Sequence, residues 1–348
     1  MPRILTPESD SLSSVPMEPG IGLDIGTMNF VAARQTGEKV VIKRVRDVFI
    51  DLPLENRRML RLSNTAFAEL DGRLLVIGDD ALQTANLLNR EVRRPLQGGM
   101  ISAGELDAQQ VIGLIMKQIL GPPQSEGEQC CHSVPAVAID VPGSDVTYHT
   151  AVLGKILHEL GYKPKAMNEA LAVVYSECPA DFCGLGISYG SGMTNVCLAY
   201  NTMSALEFAL GRGGDWIDAG AARSVGGTSA KMCAVKEGNA SQSGIDLMQL
   251  KNRDEEALAF FVQALIDYTL DAIIKEFVRV KRDVLIPKPI PIIISGGTSL
   301  AGGFLDKFRE RFDMQRKRFP IEISEIRQAT DPMTAVATGL LVYARADD

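Results

Sequence analysis

Short apolar runs alternate with mixed segments along the chain, and their periodicities predict the elements. An apolar run at 21–24 predicts a strand ending in a glycine turn, with further strands at 30–34 and 39–45. A strand at 74–77 runs into Gly78, after which Asp79 is placed to cap a helix carrying Ala81, Leu82 and Ala85. Ser102 is placed to cap a longer helix with the stripe Leu106, Val111, Leu114, Ile115 and Ile119. The tract 121–129 reads as a loop, and 134–141 as a buried strand stopped by Pro142 and Gly143. A helix over 145–160 closes on Gly161. Residues 166–172 pass from strand into helix, and two strands bracket 188–193. Helices dominate 217–280, where Leu258, Phe261, Ala264, Leu265 and Tyr268 are expected to face inward. A strand at 290–294 precedes a helix starting near Leu300, and a last helix spans 332–344. This alternation predicts α/β layers. Residues 1–20, rich in Ser, Pro and acidic groups, read as a flexible tail.

Two segments resemble each other. GLDIGTMNFVAA at 22–33 and GISYGSGMTNVCLA at 186–199 are each an apolar strand, a tight glycine turn and a second apolar strand. The second turn reads as one or two residues longer. Asp24 and Ser188 then correspond, 164 residues apart. A duplicated half with two facing hairpin turns follows, with a ligand between the halves. Glycines let backbone N–H groups approach a ligand, and successive N–H groups form an anion nest. Thr27, Met28 and Asn29 would donate from the first turn beside Gly26. Ser191, Gly192, Met193 and Thr194 would donate from the second beside Gly190. Two opposed nests clamp a polyphosphate. The Asp24 carboxylate repels phosphate, so magnesium or water must stand between them. Two ordinary hairpin turns are the competing reading, and the matched pair weighs against it.

The chain has 348 residues, which suggests about two domains. No run approaches about 18 uninterrupted apolar residues, so no membrane-spanning helix is expected. The start lacks the apolar middle of a secretory signal. A net charge of −7 argues against a broad nucleic-acid surface. None of the six cysteines forms a CxxC pair, so structural zinc is disfavoured. Unbridged thiols fit a reducing, cytoplasmic location. There is no GxxxxGK[ST] and no GxGxxG between strand and helix, which disfavours P-loop and Rossmann readings.

Seven short motifs then fall in one order. They are GLDIGTMN (22–29), VIGDDA with RPLQGGMI (76–81 and 94–101), NEALA (168–172), YGSGMTNV (189–196), GGDWID (213–218), IIISGGTSL (292–300) and DPMTAVA (331–337). The chain resembles the actin-like ATPase superfamily over most of 21–346, and within it bacterial actin homologues of the MreB and MamK type. The resemblance implies a duplicated, ribonuclease H-like, two-lobed α/β fold with a nucleotide cleft between lobes. Lobe I would span 21–163 with a small subdomain around 46–95. Lobe II would span 164–331 with a helical subdomain around 217–280, and 332–348 would return to lobe I.

The resemblance also implies roles. Asp24 would order magnesium through water, Glu169 would position or polarise the attacking water, and Thr194 would hold the terminal phosphate. Gly213, Gly214, Asp215, Lys236, Gly296, Gly297 and Thr298 would complete an ATP or ADP site. Lys231 and Glu237 are further candidates. Read without the family, Glu169 could equally be a helix N-terminal charge stabilised by the dipole. Two departures stand out. Ser188 replaces the usual acidic residue, which implies slow hydrolysis or a changed metal requirement. Ala170 stands where proline often follows the glutamate. The expected function is an ATP-binding protein that polymerises head to tail into cytoskeletal filaments. The alternatives are a chaperone-like or scaffold pseudo-ATPase and, more remotely, a small-molecule kinase. Membrane contact is disfavoured because prolines interrupt the N-terminal segment. No nucleic-acid partner is expected, and other protein partners are open.

Overall fold

The computed structural model describes residues 4–5, 17–239, 242–280, 286 and 288–346. Two five-stranded sheets form its centre. The first contains β1 (Met17–Ile25), β2 (Asn29–Thr36), β3 (Lys39–Arg46), β4 (Gln129–Val134) and β5 (Lys163–Asn168). The second contains β6 (Gly184–Tyr189), β7 (Thr194–Tyr200), β8 (Met203–Leu210), β9 (Ile290–Ser295) and β10 (Ile323–Gln328). The strand orders are β5-β4-β1-β2-β3 and β10-β9-β6-β7-β8. Each strand of the first sheet therefore has its counterpart five strands later. In both sheets a meander of three antiparallel strands is extended by two parallel ones. Both faces of such sheets need covering, which explains the unbroken apolar runs in β6 and β9.

The flanking helices are α1 (Gly78–Leu88), α2 (Ala108–Leu120), α3 (Thr147–Glu159), α4 (Glu169–Glu177), α5 (Gly214–Val225) and α6 (Ser229–Glu237). They continue with α7 (Arg253–Val280), α8 (Phe304–Gln315) and α9 (Ala335–Arg345). Helix α7 is long and apolar enough to cross a membrane. Its stripe Leu258, Val262, Leu265, Ile266, Leu270, Ile273 and Phe277 is buried in the core under the second sheet, which accounts for its apolarity. Helices α4 and α9 pack on each other between the sheets. A Cβ on Gly22 would overlap the Ala337 carbonyl oxygen, and one on Gly186 would overlap the Ala170 carbonyl oxygen. The same close approach of helix to strand thus occurs at both copies of the repeat, 164 residues apart.

Several sequence expectations change. Strand β1 begins at Met17, and Ile4–Leu5 pairs with Phe67–Leu70 in a small four-stranded sheet, so the expected tail contributes strand at both places. Residues 1–3 and 6–16 lie outside the described residues. Strand β5, whose residues from 164 on were expected in lobe II, pairs in the first sheet. Asp79 does not cap α1. The helix starts at Gly78, and the Asp79 carboxylate accepts from Arg46 Nε at 2.8 Å. Ser102 does not cap α2, which begins at Ala108, and Leu106 is 93% exposed. The Ser102 N–H instead bonds the Pro95 carbonyl and closes the small hairpin 96–101.

The buried strand expected at 134–141 lies earlier, at Gln129–Val134, because Pro135 has no N–H to continue the ladder. Beyond it, Ala136 and Ala138 are buried against Met193 and Ala209. The backbone of 137–139 exchanges hydrogen bonds with Ala209 on β8 at 3.0 Å. This segment therefore leaves the first sheet and docks on the edge of the second. No disulfide joins any of the six cysteines.

Candidate functional site

Each hairpin turn holds four residues. Gly26 N–H bonds Asn29 O at 3.1 Å, and Gly190 N–H bonds Met193 O at 3.0 Å. Asp24 stands opposite Val31, and Ser188 stands opposite Asn195. The offset of 164 therefore holds through both hairpins, and the second turn is not the longer one the sequence suggested. The turns face a cavity of about 590 Å³ between the sheets, within the size range of nucleotide-scale sites. Gly26, Thr27, Met28 and Asn29 line it from one side, and Gly190, Ser191, Gly192 and Met193 from the other. Asp24, Glu169, Lys236, Gly296, Gly297 and Thr298 also line it.

Five expected residues do not line it, among them Lys231, whose ammonium pairs with Asp254. Thr194 is fully buried, and its hydroxyl donates to the Arg212 carbonyl at 2.8 Å, so it is not positioned to hold a terminal phosphate. Gly213, Gly214 and Asp215 brace the second turn from behind. Gly214 N–H bonds Gly190 O at 3.0 Å, and Asp215 N–H bonds Ser191 O at 2.8 Å. The Asp215 carboxylate faces Arg94 at 3.4 Å in a smaller neighbouring cleft. Lys236 reaches the cavity wall, but its ammonium donates to Asp218 at 2.7 Å and to the Gly214 carbonyl at 3.3 Å. Its charge is thereby matched within the protein.

The two carboxylates sit at the ends of strands. Asp24, on β1, accepts from the Ser133 hydroxyl at 3.0 Å, and that hydroxyl oxygen also accepts the Ile25 N–H at 2.7 Å. Glu169 opens α4 directly after Asn168, whose side-chain oxygen caps the N–H groups of Ala170 and Leu171 at 2.8 and 3.1 Å. A proline at 170 would lack the N–H that this cap uses, so Ala170 anchors the helix start in another way. Glu169 Oε2 accepts from Asn195 Nδ2 at 3.0 Å. Burial raises the Asp24 carboxyl above the ordinary carboxylate range, against the Ser133 hydrogen bond. Burial, and then repulsion from Asp24, raise Glu169, against hydrogen bonds from Asn195 and Ser188. A buried carboxylate pair of this kind is typical of sites that bind cations or move protons.

Sequence reasoning missed several cavity residues. Arg44 and Arg46 line it from β3. Arg44 stands in register with Val31, which is itself opposite Asp24, so one cross-strand row faces the cavity. Among the described residues Arg44 has no ion pair. The tip of hairpin 96–101 also enters the site. Gly99 N–H bonds Thr27 Oγ1 at 3.1 Å, and a Cβ on Gly192 would come within 2.6 Å of the same oxygen. Behind it, the buried Asp47 carboxylate accepts the Leu96 N–H at 3.2 Å, while the Asp47 N–H bonds Met28 O at 3.0 Å. Burial raises Asp47 well above its ordinary value. These contacts join residues far apart in sequence. The RPLQGGMI run was the only signal available.

His149 anchors the same hairpin from below. Its Nδ1 accepts the Ile101 N–H at 3.2 Å, which leaves the proton on Nε2, where no partner is found among the described residues. Burial lowers His149 from 6.5 to about 4, and likewise its neighbour His132. The unfolded chain binds these protons first, so stability is full above pH 6.5 and falls as pH drops toward 4. One such histidine is worth at most about 3 kcal/mol. Asp24 and Glu169 act oppositely, since their raised values favour the fold at low pH. His149→Asn keeps the acceptor and cannot titrate. Urea midpoints at pH 7 and 4.5 are expected to differ less in this variant than in wild type, and an equal difference would remove His149 from the account.

Residues 19–344 match the sequence model of the family described as Volactin. The chain belongs to that family. No curated protein matches it in sequence. Among solved structures it is similar to a MamK double helical filament, at 18% identity and TM-score 0.67, covering 94% of this chain and 98% of that one. It is similar to MreB5 of Spiroplasma citri bound to AMPPNP, at 16% identity and TM-score 0.65, covering 94% and 96%. It is also similar to ethanolamine utilization protein EutJ from Carboxydothermus hydrogenoformans, at 13% identity and TM-score 0.55, covering 95% and 92%. This Volactin-family chain therefore has the actin-like, two-lobed α/β fold.

Proposed function

We propose that the cavity binds ATP and ADP, and that the chain assembles head to tail into filaments whose turnover is set by slow hydrolysis. The observation that carries this reading is the pair of equal glycine turns facing each other across one cavity, with Asp24 and Glu169 at its floor. Their N–H groups suit a polyphosphate. The similar MreB5 structure holds AMPPNP, and the similar MamK structure is a filament. Arg44 supplies an unmatched positive charge toward such a ligand.

Magnesium fits this donor set. It keeps most of its waters and takes one or two carboxylates together with phosphate oxygens. Asp24 would hold it through water, and it would neutralise charge on the phosphates. Among the described residues no cluster of three His, Cys, Asp or Glu could hold a metal without such a ligand. Ser188 supplies a hydroxyl where a second carboxylate would organise water and metal beside Asp24, so turnover is expected to be slow. The same residue favours the second reading, a nucleotide-gated scaffold that does not polymerise.

Pelleting and negative-stain imaging with and without magnesium-ATP, with phosphate release followed in the same sample, tests the proposal. Nucleotide-dependent filaments with slow release are expected. Nucleotide binding without filaments, across protein and salt concentrations, would favour the scaffold. No nucleotide binding would end both readings.

A further inference from the structure

We infer that Asn195 is a positioning residue for Glu169, tying that carboxylate to the segment 135–141 that joins the two sheets. This rests on the proposed hydrolysis. In the first hairpin the residues facing each other across the strands are a carboxylate and an apolar side chain, Asp24 and Val31. At the matching places in the second they are a hydroxyl and an amide, Ser188 and Asn195. Both point at Glu169. The second copy of the repeat thus presents two hydrogen-bond donors to Glu169 at the places where the first has a carboxylate and an apolar side chain.

The orientation of the amide is fixed. Ala136 N–H can only donate, and it lies 2.9 Å from Asn195 Oδ1. The Nδ2 end must therefore face Glu169 Oε2, at 3.0 Å. Asn195 is 1% exposed, so water does not replace either bond. A donor at this place favours the charged form of Glu169, the form that can accept a proton. In the hydrolysis step, water gives its proton to Glu169 as its oxygen bonds to the terminal phosphorus. The bond from phosphorus to the bridging oxygen breaks, and ADP leaves with the electron pair. Segment 135–141 holds the other end of the amide and is itself bonded to β8. A shift between the sheets would thus reach Glu169 through one side chain.

The charged group acting on Glu169 is Asp24 on β1. His132 on β4, Lys163 and Lys165 on β5 and Arg345 on α9 are the other charged or basic groups on strands and helices packed against α4. None of these four acts on it.

Asn195→Asp keeps an acceptor for Ala136 N–H at unchanged size, but turns the donor into a repelling carboxyl. Asn195→Ser shortens the side chain without adding charge. The pH at half-maximal phosphate release is expected to rise in the order wild type, N195S, N195D, by about one unit or more for N195D. The rate at pH 7 should fall at least about tenfold in N195D, while the KM for ATP moves less than about threefold. A merely structural role would lower both rates with no shift of the profile, and that result overturns the inference. If wild type releases no phosphate at any pH, the proposed hydrolysis fails. The inference is then read from carbon-13 carboxyl titration of Glu169 in wild type and N195D. An upward shift supports it, and an unchanged titration overturns it. If N195D does not fold, the same titration in N195S decides.

Discussion

Glu169→Gln is expected to slow phosphate release about 10²–10⁴-fold, the range of a positioned acid–base group. Nucleotide affinity should hold or rise, because a negative charge facing a polyanion is removed. The physical basis is the placement of Glu169 at the first position of α4, on the cavity floor, with its carboxylate held by Asn195. Glutamine keeps the shape and loses the proton acceptor. Because the folded-state value of Glu169 is raised above the unfolded one, its stabilising contribution is present at low pH and lost as pH rises. The glutamine variant mimics the protonated form, so its melting temperature without nucleotide should exceed that of wild type at neutral pH. Phosphate release, fluorescent-nucleotide binding and thermal unfolding measure the three effects. An unchanged release rate would return Glu169 to a helix N-terminal charge with no chemical role.

The second large effect lies away from the chemistry. Gly339→Ala should destabilise the protein by about 3 kcal/mol or more, or leave it insoluble. A Cβ there would overlap the Ala172 carbonyl oxygen and lie 2.6 Å from its carbonyl carbon. Both are backbone atoms, so α4 and α9 must separate. Alanine's better helix propensity returns only about 1 kcal/mol. Gly154→Ala on α3 is the control, because its nearest neighbour, Pro164 Cγ, is 3.9 Å away. That variant should unfold at or above the wild-type temperature. Equal melting temperatures for the two variants would show that the α4–α9 contact tolerates separation. Since α4 carries Glu169 and α9 packs on the strand that carries Asp24, this contact also sets how the two carboxylates face each other.

The RPLQGGMI run could be read as a motif, but its job could not. Gly99 meets Thr27 and Gly192 only because β1, β6 and the small hairpin converge in space. Arg44 was one basic residue among several in the strand expected at 39–45. Its place in the row Asp24, Val31, Arg44 depends on the pairing of three strands.

Glu169 came from the resemblance to the actin-like superfamily; the sequence by itself determined the repeat, the two glycine turns, the layered α/β class and Asp24 as an acidic candidate. These follow from local periodicity and backbone freedom, which neighbouring residues set. Which side chains reach the cavity was decided only by tertiary structure. Thr194 was expected there, yet its neighbour Asn195 holds Glu169 while the Thr194 hydroxyl turns to the Arg212 carbonyl. Side chains alternate along a strand, so an error of one residue in turn length exchanges the two. Reading the second turn as longer placed Thr194 within the turn, and the pairing of Ser188 with Asn195 removes that placement. Long-range strand pairing fixed the register, and the register assigned the residues that face the cavity.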